Sequence, residues 1–448
     1  MIGRSMVPTY LRYIVPSMIA FTLTSIYGIV DGLFVGNVVG DAGLAGINVS
    51  FPLVQFVFAV GTGIGMGGAV ISSIRAGRGD EASSRRAVGN TLLMLVVASL
   101  PLMAVLLMFG APLSELLGGR GATLAEAVNY ITVIAWGTPF LVLQVGCLPL
   151  IRNRGHVNYA MGVSVLSGLV NVALDWLFVV ELHAGTAGAA AATVIAQALA
   201  FALCAAFFLR KGERIALRDF KPQARTIGHA LKLGMAPFGL TLLPEVTVVA
   251  VNMNAVVQGG EVAVAAYAVI SYTAMIIQML IQGVGDGSQP LVSRSYGAGR
   301  YAEARAIRTT NYVITVTIGV LGLAAMYLLR EQVPAWFGAS ADTTQLIAFA
   351  LPVFSLSYVF YGFTHASTSY FYATDNAVAS STIVYGEAAL VTMVVTGLGT
   401  LFGLNGIWAS VSVVQAVLSM LAFGFLRKSD HALSRRTSPE ETAAPARA

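Results

Sequence analysis

Residues 63–85 read GIGMGGAVISSIRAGRGDEASSR, and residues 283–305 read GVGDGSQPLVSRSYGAGRYAEAR. At an offset of 220, Gly63, Gly65, Gly67, Ser73, Gly77, Gly79, Ala82 and Arg85 recur as Gly283, Gly285, Gly287, Ser293, Gly297, Gly299, Ala302 and Arg305. Glycine and alanine are common in this chain, so one match carries little weight. Eight within a 23-residue window, at the same place in each half, make chance a poor explanation. Upstream, Gly40, Ala45 and Val49 recur as Gly260, Ala265 and Val269. With a two-residue gap, Gly188, Ala191, Gln197 and Ala198 return as Gly406, Ala409, Gln415 and Ala416. The chain is a duplication.

What is duplicated follows from the sequence around the repeat. Of 448 residues, 56% are hydrophobic and 10% charged, and the mean hydropathy is +0.77. A soluble protein carries about 25% charged residues. No charge occurs between Arg12 and Asp31, or between Arg86 and Glu115. Both runs have the length a helix needs to cross a bilayer. Twelve apolar segments are predicted, near 13–36, 43–74, 87–110, 124–150, 156–180 and 186–209, then 226–258, 262–293, 309–329, 343–372, 377–402 and 404–426.

The basic residues test that count. With a cytoplasmic N-terminus, all but Arg120 and Arg330 of the 26 Lys and Arg residues fall on the cytoplasmic side, as the positive-inside rule requires. A missed segment would scramble this parity. The net charge of +5 therefore reflects membrane topology and not a nucleic-acid partner. Cys147 and Cys204 both lie in apolar segments, so no disulfide framework is read. The first apolar run reaches spanning length and is kept as a helix, not a cleavable signal.

Six is even, so both halves enter the membrane in the same direction, giving a parallel repeat. The expected fold is an all-α integral membrane protein with twelve transmembrane helices in two parallel, pseudo-symmetric six-helix bundles. Residues 1–209 are the expected N-lobe, 210–225 a cytoplasmic linker, 226–428 the C-lobe and 429–448 a disordered cytoplasmic tail. Two such bundles face each other across a cavity that rocking opens to alternate sides, which is a transporter's architecture. The chain has no GxxxxGK[ST] and no sizeable soluble domain. An ion gradient is then the expected energy source. The GxGxxG pattern at Gly63–Gly68 follows no strand, so it reads as close helix packing and not a dinucleotide site.

Ionisable groups inside a bilayer are costly and mark function. Asp31 and Asp175 sit at similar depth in the outer half of the N-lobe. Asn171 lies four residues before Asp175, on the same helical face, and Thr193 reaches that level from segment six. Two carboxylates, an amide and a hydroxyl can share a proton or supply oxygen ligands to a hard cation such as Na⁺. Glu245 is a further candidate. Glu387 also lies inside a span, and Asp286 and Asp375 lie nearer the cytoplasmic ends; these three read as structural or solvated carboxylates. Pro16, Pro139, Pro237, Pro244 and Pro352 lie inside spans, where each allows a kink.

These features resemble the MATE (multidrug and toxic compound extrusion) family, within the multidrug/oligosaccharidyl-lipid/polysaccharide exporter superfamily. The resemblance runs over roughly residues 5–427. It rests on the six-plus-six repeat, Pro16, Val30-Asp31-Gly32-Leu33-Phe34-Val35-Gly36, the N-x-x-x-D at Asn171–Asp175, and the loops Arg75–Asp80 and Arg294–Arg300. It implies an antiporter in which Asp31, Asn171, Asp175 and Thr193, with Tyr130 nearby, bind the coupling H⁺ or Na⁺. It further implies that helix 1 bends at Pro16. Some family members use a C-lobe acidic pair, which Glu245 and Asp375 resemble in position, although Ala373-Thr374-Asp375 replaces the usual R-x-G.

The expected substrates are organic cations or amphipathic drugs, moved by a monomer in the cell membrane, among lipid, with both termini cytoplasmic. No cofactor beyond the coupling ion is expected, and no enzyme activity, since the five histidines are scattered and no HExxH is present. The alternatives are a lipid-linked oligosaccharide flippase or a narrow-specificity metabolite exporter. A flippase generally lines its cavity with cations, whereas here only Arg120 and Arg330 lie outside the cytoplasmic loops and tails.

Overall fold

The computed structural model describes residues 2–437, the side chains of 24–33 and 432–437 excepted. The first half comprises α1 (Val7–Val38), α2 (Asp41–Gly77), α3 (Glu81–Leu116), α4 (Gly121–Asn153), α5 (Val157–Asp175) and α6 (Gly185–Leu209). The second comprises α7 (Ala224–Leu242), α8 (Pro244–Gly297), α9 (Tyr301–Leu328), the short α10 (Val333–Trp336), α11 (Ala341–Ser355), α12 (Ser357–Ala373) and α13 (Ala377–Thr437). The described residues contain no strand.

Among the described residues, nine helical stretches are long and apolar enough to cross a membrane, and two of these are far too long for one pass: Ala224–Gly297 and Ala377–His431. Each is broken by a glycine in left-handed backbone, Gly260 at φ 62° and Gly403 at φ 60°. Those two breaks, together with α1, give the twelve passes expected.

The turns themselves are duplicated. Left-handed backbone occurs at Gly40, Gly79, Gly118 and Gly155, and again 220 residues later at Gly260, Gly299, Gly338 and Asp375. The last turn of each half uses Gly185 and Gly403, 218 residues apart, matching the two-residue gap in the sequence repeat. Asp375 alone of these ten has a side chain. Aspartate is among the few residues that visit this region.

The repeated glycines build the seam between the halves. Gly63 and Gly67 of α2 press against Gly234 and Ala230 of α7, while Gly283 and Gly287 of α8 press against Met18 and Ser17 of α1. Gly65 instead meets Gly146 of α4, and Gly285 meets Ser369 and His365 of α12, each within its own half. Small residues let helix backbones approach closely where lipid offers no hydrophobic drive. The GxGxxG stretch is packing, as its apolar setting implied.

Between the halves, Leu217–Phe220 forms a 3₁₀ turn docked on α3. There the Asn90 side-chain amide donates to the carbonyls of Asp219 and Lys221 (3.2 and 3.1 Å) and its oxygen accepts from the Gln223 N–H (2.7 Å). At the other end of the chain, α13 continues into the stretch expected as a disordered tail. Arg308 clasps Asp430 with two hydrogen bonds of 2.9 Å and stacks over the Tyr370 ring, which holds the helix past residue 428. Residues 438–448 lie outside the described residues.

Candidate functional site

In the first half, α1, α4 and α6 all pack on α5. Ser167 donates to the Ala196 carbonyl (3.0 Å), and the Asn171 amide donates to the Thr193 hydroxyl (3.4 Å). This antiparallel register between α5 and α6 carries on to set Asp175 level with Ala189. The alanines of 189–192 leave room for that approach, and Ala189, Ala190 and Ala192 are fully buried.

Asp175 itself has no exposed surface, and Asn171 is buried. At Asp175 the helix gives way to a single π turn, Trp176–Glu181. Such turns open the backbone ladder and recur at functional sites. Asn171 and Thr193 are thereby joined, and Asp175 lies one helical turn further along the same face of α5. Tyr130 is buried on neighbouring α4. Asp31 belongs to α1, and its side chain lies outside the described residues.

The donor set of carboxylate, amide oxygen and hydroxyl suits a proton or a hard monovalent cation. Among the described residues, no three His, Cys, Asp or Glu side chains converge as a metal site would need. Pro16 lies in α1 one residue before Ser17, whose hydroxyl donates to the Tyr13 carbonyl at 2.8 Å. This is the turn on which Gly287 of α8 presses. The candidate hinge thus sits against the seam.

The second-half candidates do not assemble as a pair. Glu245 is half-buried in the first turn of α8, beside the break after Leu242. Asp375 lies in the turn between α12 and α13, where its carboxylate meets the His229 ring nitrogen at 2.5 Å. His229 and Glu245 lie on the same pass, separated by roughly 24 Å of helix at 1.5 Å per residue. Asp375 is thus tied to the loop end of that pass, away from Glu245.

Two other carboxylates are better enclosed than solvated groups would be. Asp286, 6% exposed, accepts a 2.5 Å hydrogen bond from the Tyr372 hydroxyl. Glu387 accepts from the Gln415 amide at 2.7 Å. The sequence showed their depth but not their partners, which come from passes 86 and 28 residues away.

A glycine-lined seam thus joins duplicated bundles, and the Asp175 carboxylate is buried in the first. The family model described as MatE matches residues 16–177 and 237–400, one block in each half. The chain belongs to the MatE family. Multidrug export protein MepA from Staphylococcus haemolyticus is 24% identical over 418 residues, covering 92% of this chain and 91% of its own. The MepA of Staphylococcus aureus strain MSSA476 is 22% identical over 414 residues, with 92% and 91% covered.

Among solved structures, an outward-facing multidrug resistance MATE family transporter of the MOP superfamily superposes with a TM-score of 0.89 at 22% identity, covering 95% of this chain and 96% of that one. A MATE in its straight conformation gives 0.90 at 21% identity, with the same coverage. A MOP superfamily transporter from Pyrococcus furiosus, described as having a binding pocket of reverse polarity, gives 0.88 at 22%. The MatE fold, twelve helices in two bundles, is thereby established for this chain.

Proposed function

We propose that the chain is a cation-coupled antiporter, driven by H⁺ or Na⁺, that exports cationic or amphipathic small organic compounds by alternating access. The observation that carries this reading is Asp175, fully buried within a bundle and one helical turn from the Asn171–Thr193 hydrogen bond. A carboxylate held away from water is stabilised by taking up a proton or an oxygen-coordinated cation. Asp31, carried by α1, which packs along α5, joins the cluster in this reading, with Tyr130 beside it. The multidrug export described for the MepA relatives supports the substrate class.

The coupling follows from competition. A cationic substrate and the coupling ion both favour a negative cluster, so uptake of the ion releases the substrate. Bending of α1 at Pro16 links that uptake to the seam. In this reading the basic end, which carries Arg75, Arg78, Arg154, Arg294 and Arg300, faces the cytoplasm, and the protein works as a monomer in the cell membrane. Hydrogen bonds join the two bundles at this end: Ile2–Thr310, Tyr10–Asn311, Arg75–Thr226 and Asn153–Gln289. That supports a state closed towards the cytoplasm.

Binding of a fluorescent organic cation to the purified protein tests the competition. Rising H⁺ or Na⁺ is expected to displace the dye from the wild type, with the ion dependence lost in Asp175→Asn. Dye binding indifferent to both ions in the wild type would sink the reading.

A further inference from the structure

The seam is symmetric in its glycines and asymmetric in its polar groups. Asn153, the last residue of α4, and Gln289 of α8 exchange side-chain amide hydrogen bonds across the bundles. The Asn153 amide donates to the Gln289 oxygen at 2.8 Å, and the Gln289 amide donates back at 3.2 Å. Each partner is tied into its own bundle. Ser73 donates to the Asn153 oxygen (2.6 Å), and Asn153 donates to the Pro149 carbonyl (2.8 Å). Gln289 donates to Ser293 (2.8 Å), which donates to the Ala373 carbonyl (2.8 Å). Gln289 is 1% exposed. The neighbouring pair adds charge: Arg152 of α4 lies within electrostatic range of Asp286 of α8 and of its partner Tyr372.

The repeat offers an equivalent place for the same device, and it holds neither the amide pair nor the opposite charges. At the offset of 220, Asn153 corresponds to Ala373 and Gln289 to Ala69, while Arg152 corresponds to Tyr372 and Asp286 to Met66. Ser73 and Ser293, which are equivalent, each donate to the end of the equivalent helix in their own bundle. Only one of the two crossings has gained the inter-bundle amide pair.

The geometry points to a one-sided latch: Asn153–Gln289, flanked by Arg152 and Asp286, holds the bundles shut at the basic end and must part for that end to open. A latch of this kind is reversible because every group in it is satisfied when closed and can be hydrated when open, so its net worth is that of ordinary hydrogen bonds and not of a buried orphan. It rests on the alternating-access reading above, and it adds which residues set the balance between the two states.

The test is a distance. Spin labels at Arg78→Cys and Arg300→Cys, on exposed loop positions of the two bundles, are measured by electron–electron double resonance in a background with Cys147 and Cys204 replaced. In the wild type, an imposed ion gradient is expected to populate a second, longer distance. Gln289→Leu and Asn153→Leu are each expected to raise that open population about fivefold, the worth of one net hydrogen bond. The double variant should show no more than either single one, and the exchanged pair Asn153→Gln/Gln289→Asn should recover part of the closed population. Thr364→Val, which breaks a hydrogen bond inside one bundle, should leave the distribution alone and controls for general loosening. A wild type with two populations that the amide variants leave untouched overturns the latch. A wild type with one population under every gradient overturns the alternating-access reading beneath it.

Discussion

Gly77 of α2 and Gly297 of α8 sit back to back across the seam. A Cβ on Gly77 would overlap the Arg294 carbonyl oxygen, and one on Gly297 would overlap the Ile74 carbonyl oxygen. Gly77 and Gly297 are 220 residues apart, and so are Ile74 and Arg294. The contact therefore maps onto itself under the repeat, and it marks where the pseudo-two-fold axis leaves the protein at the basic end.

Substitution at this crossing should prop the seam open. Gly77→Ala and Gly297→Ala each force backbone apart, at a cost of roughly 1–3 kcal/mol of overpacking. Both should lengthen the Arg78–Arg300 label distance by a similar amount. Gly79→Ala provides the contrast, since no atom lies within 4 Å of its Cβ position. It should lower stability by about 1 kcal/mol of backbone strain and leave the distance unchanged. Equal distances in all three variants would refute this account of the seam.

Asp375 occupies the turn that Gly155 occupies in the first half, at φ 64° against 93°. Replacing it by glycine relieves left-handed strain while removing the His229 contact, so the two effects oppose. Asp375→Gly is expected to change unfolding stability by less than about 1 kcal/mol, because surface pairs are worth roughly that or less. Gradient-driven transport should persist. Abolished coupling in this variant would instead place the coupling ion in the second half.

Asp80 caps α3, its carboxylate accepting the Ser83 N–H at 2.9 Å. That backbone hydrogen bond holds its carboxyl below the ordinary carboxylate value, helped by the Ser83 side chain. A group with a depressed folded-state pKa stabilises the fold above its unfolded pKa and loses that contribution as pH falls through the folded one. Hydrogen exchange at the Ser83 amide should speed up in acid beyond its intrinsic pH dependence. In Asp80→Ala it should already be fast at neutral pH, with that extra acid response gone.

Much of this architecture is legible in the residues. The duplicated glycines announce two related bundles, and the arginine distribution fixes the parity of the passes. Asn171 and Asp175 fall on one buried face because four residues is one helical turn. What stays hidden is whatever a distant pass supplies. Asp286 reads as a solvated end-of-span acid until Tyr372 closes over it. Nothing local to Asp375 shows that His229, at the loop end of the pass that carries Glu245, holds its carboxylate. Asn153 and Gln289 are ordinary amides until the bundles meet. The π turn after Asp175 has no local signature, and residues 429–437 look like a polar tail because Arg308, their anchor, lies 122 residues from Asp430.

An ion gradient is predicted to drive export through Asp175 and its neighbours in the first bundle. Reconstitution in liposomes, with transport of a fluorescent cation under an imposed H⁺ or Na⁺ gradient, measures it directly for the wild type beside Asp175→Asn. The account predicts wild-type transport driven by one of the two gradients, and its loss in a variant that still folds and superposes on the wild type by label distance. Full gradient-driven transport by Asp175→Asn, or none by folded wild type under either gradient, would contradict it.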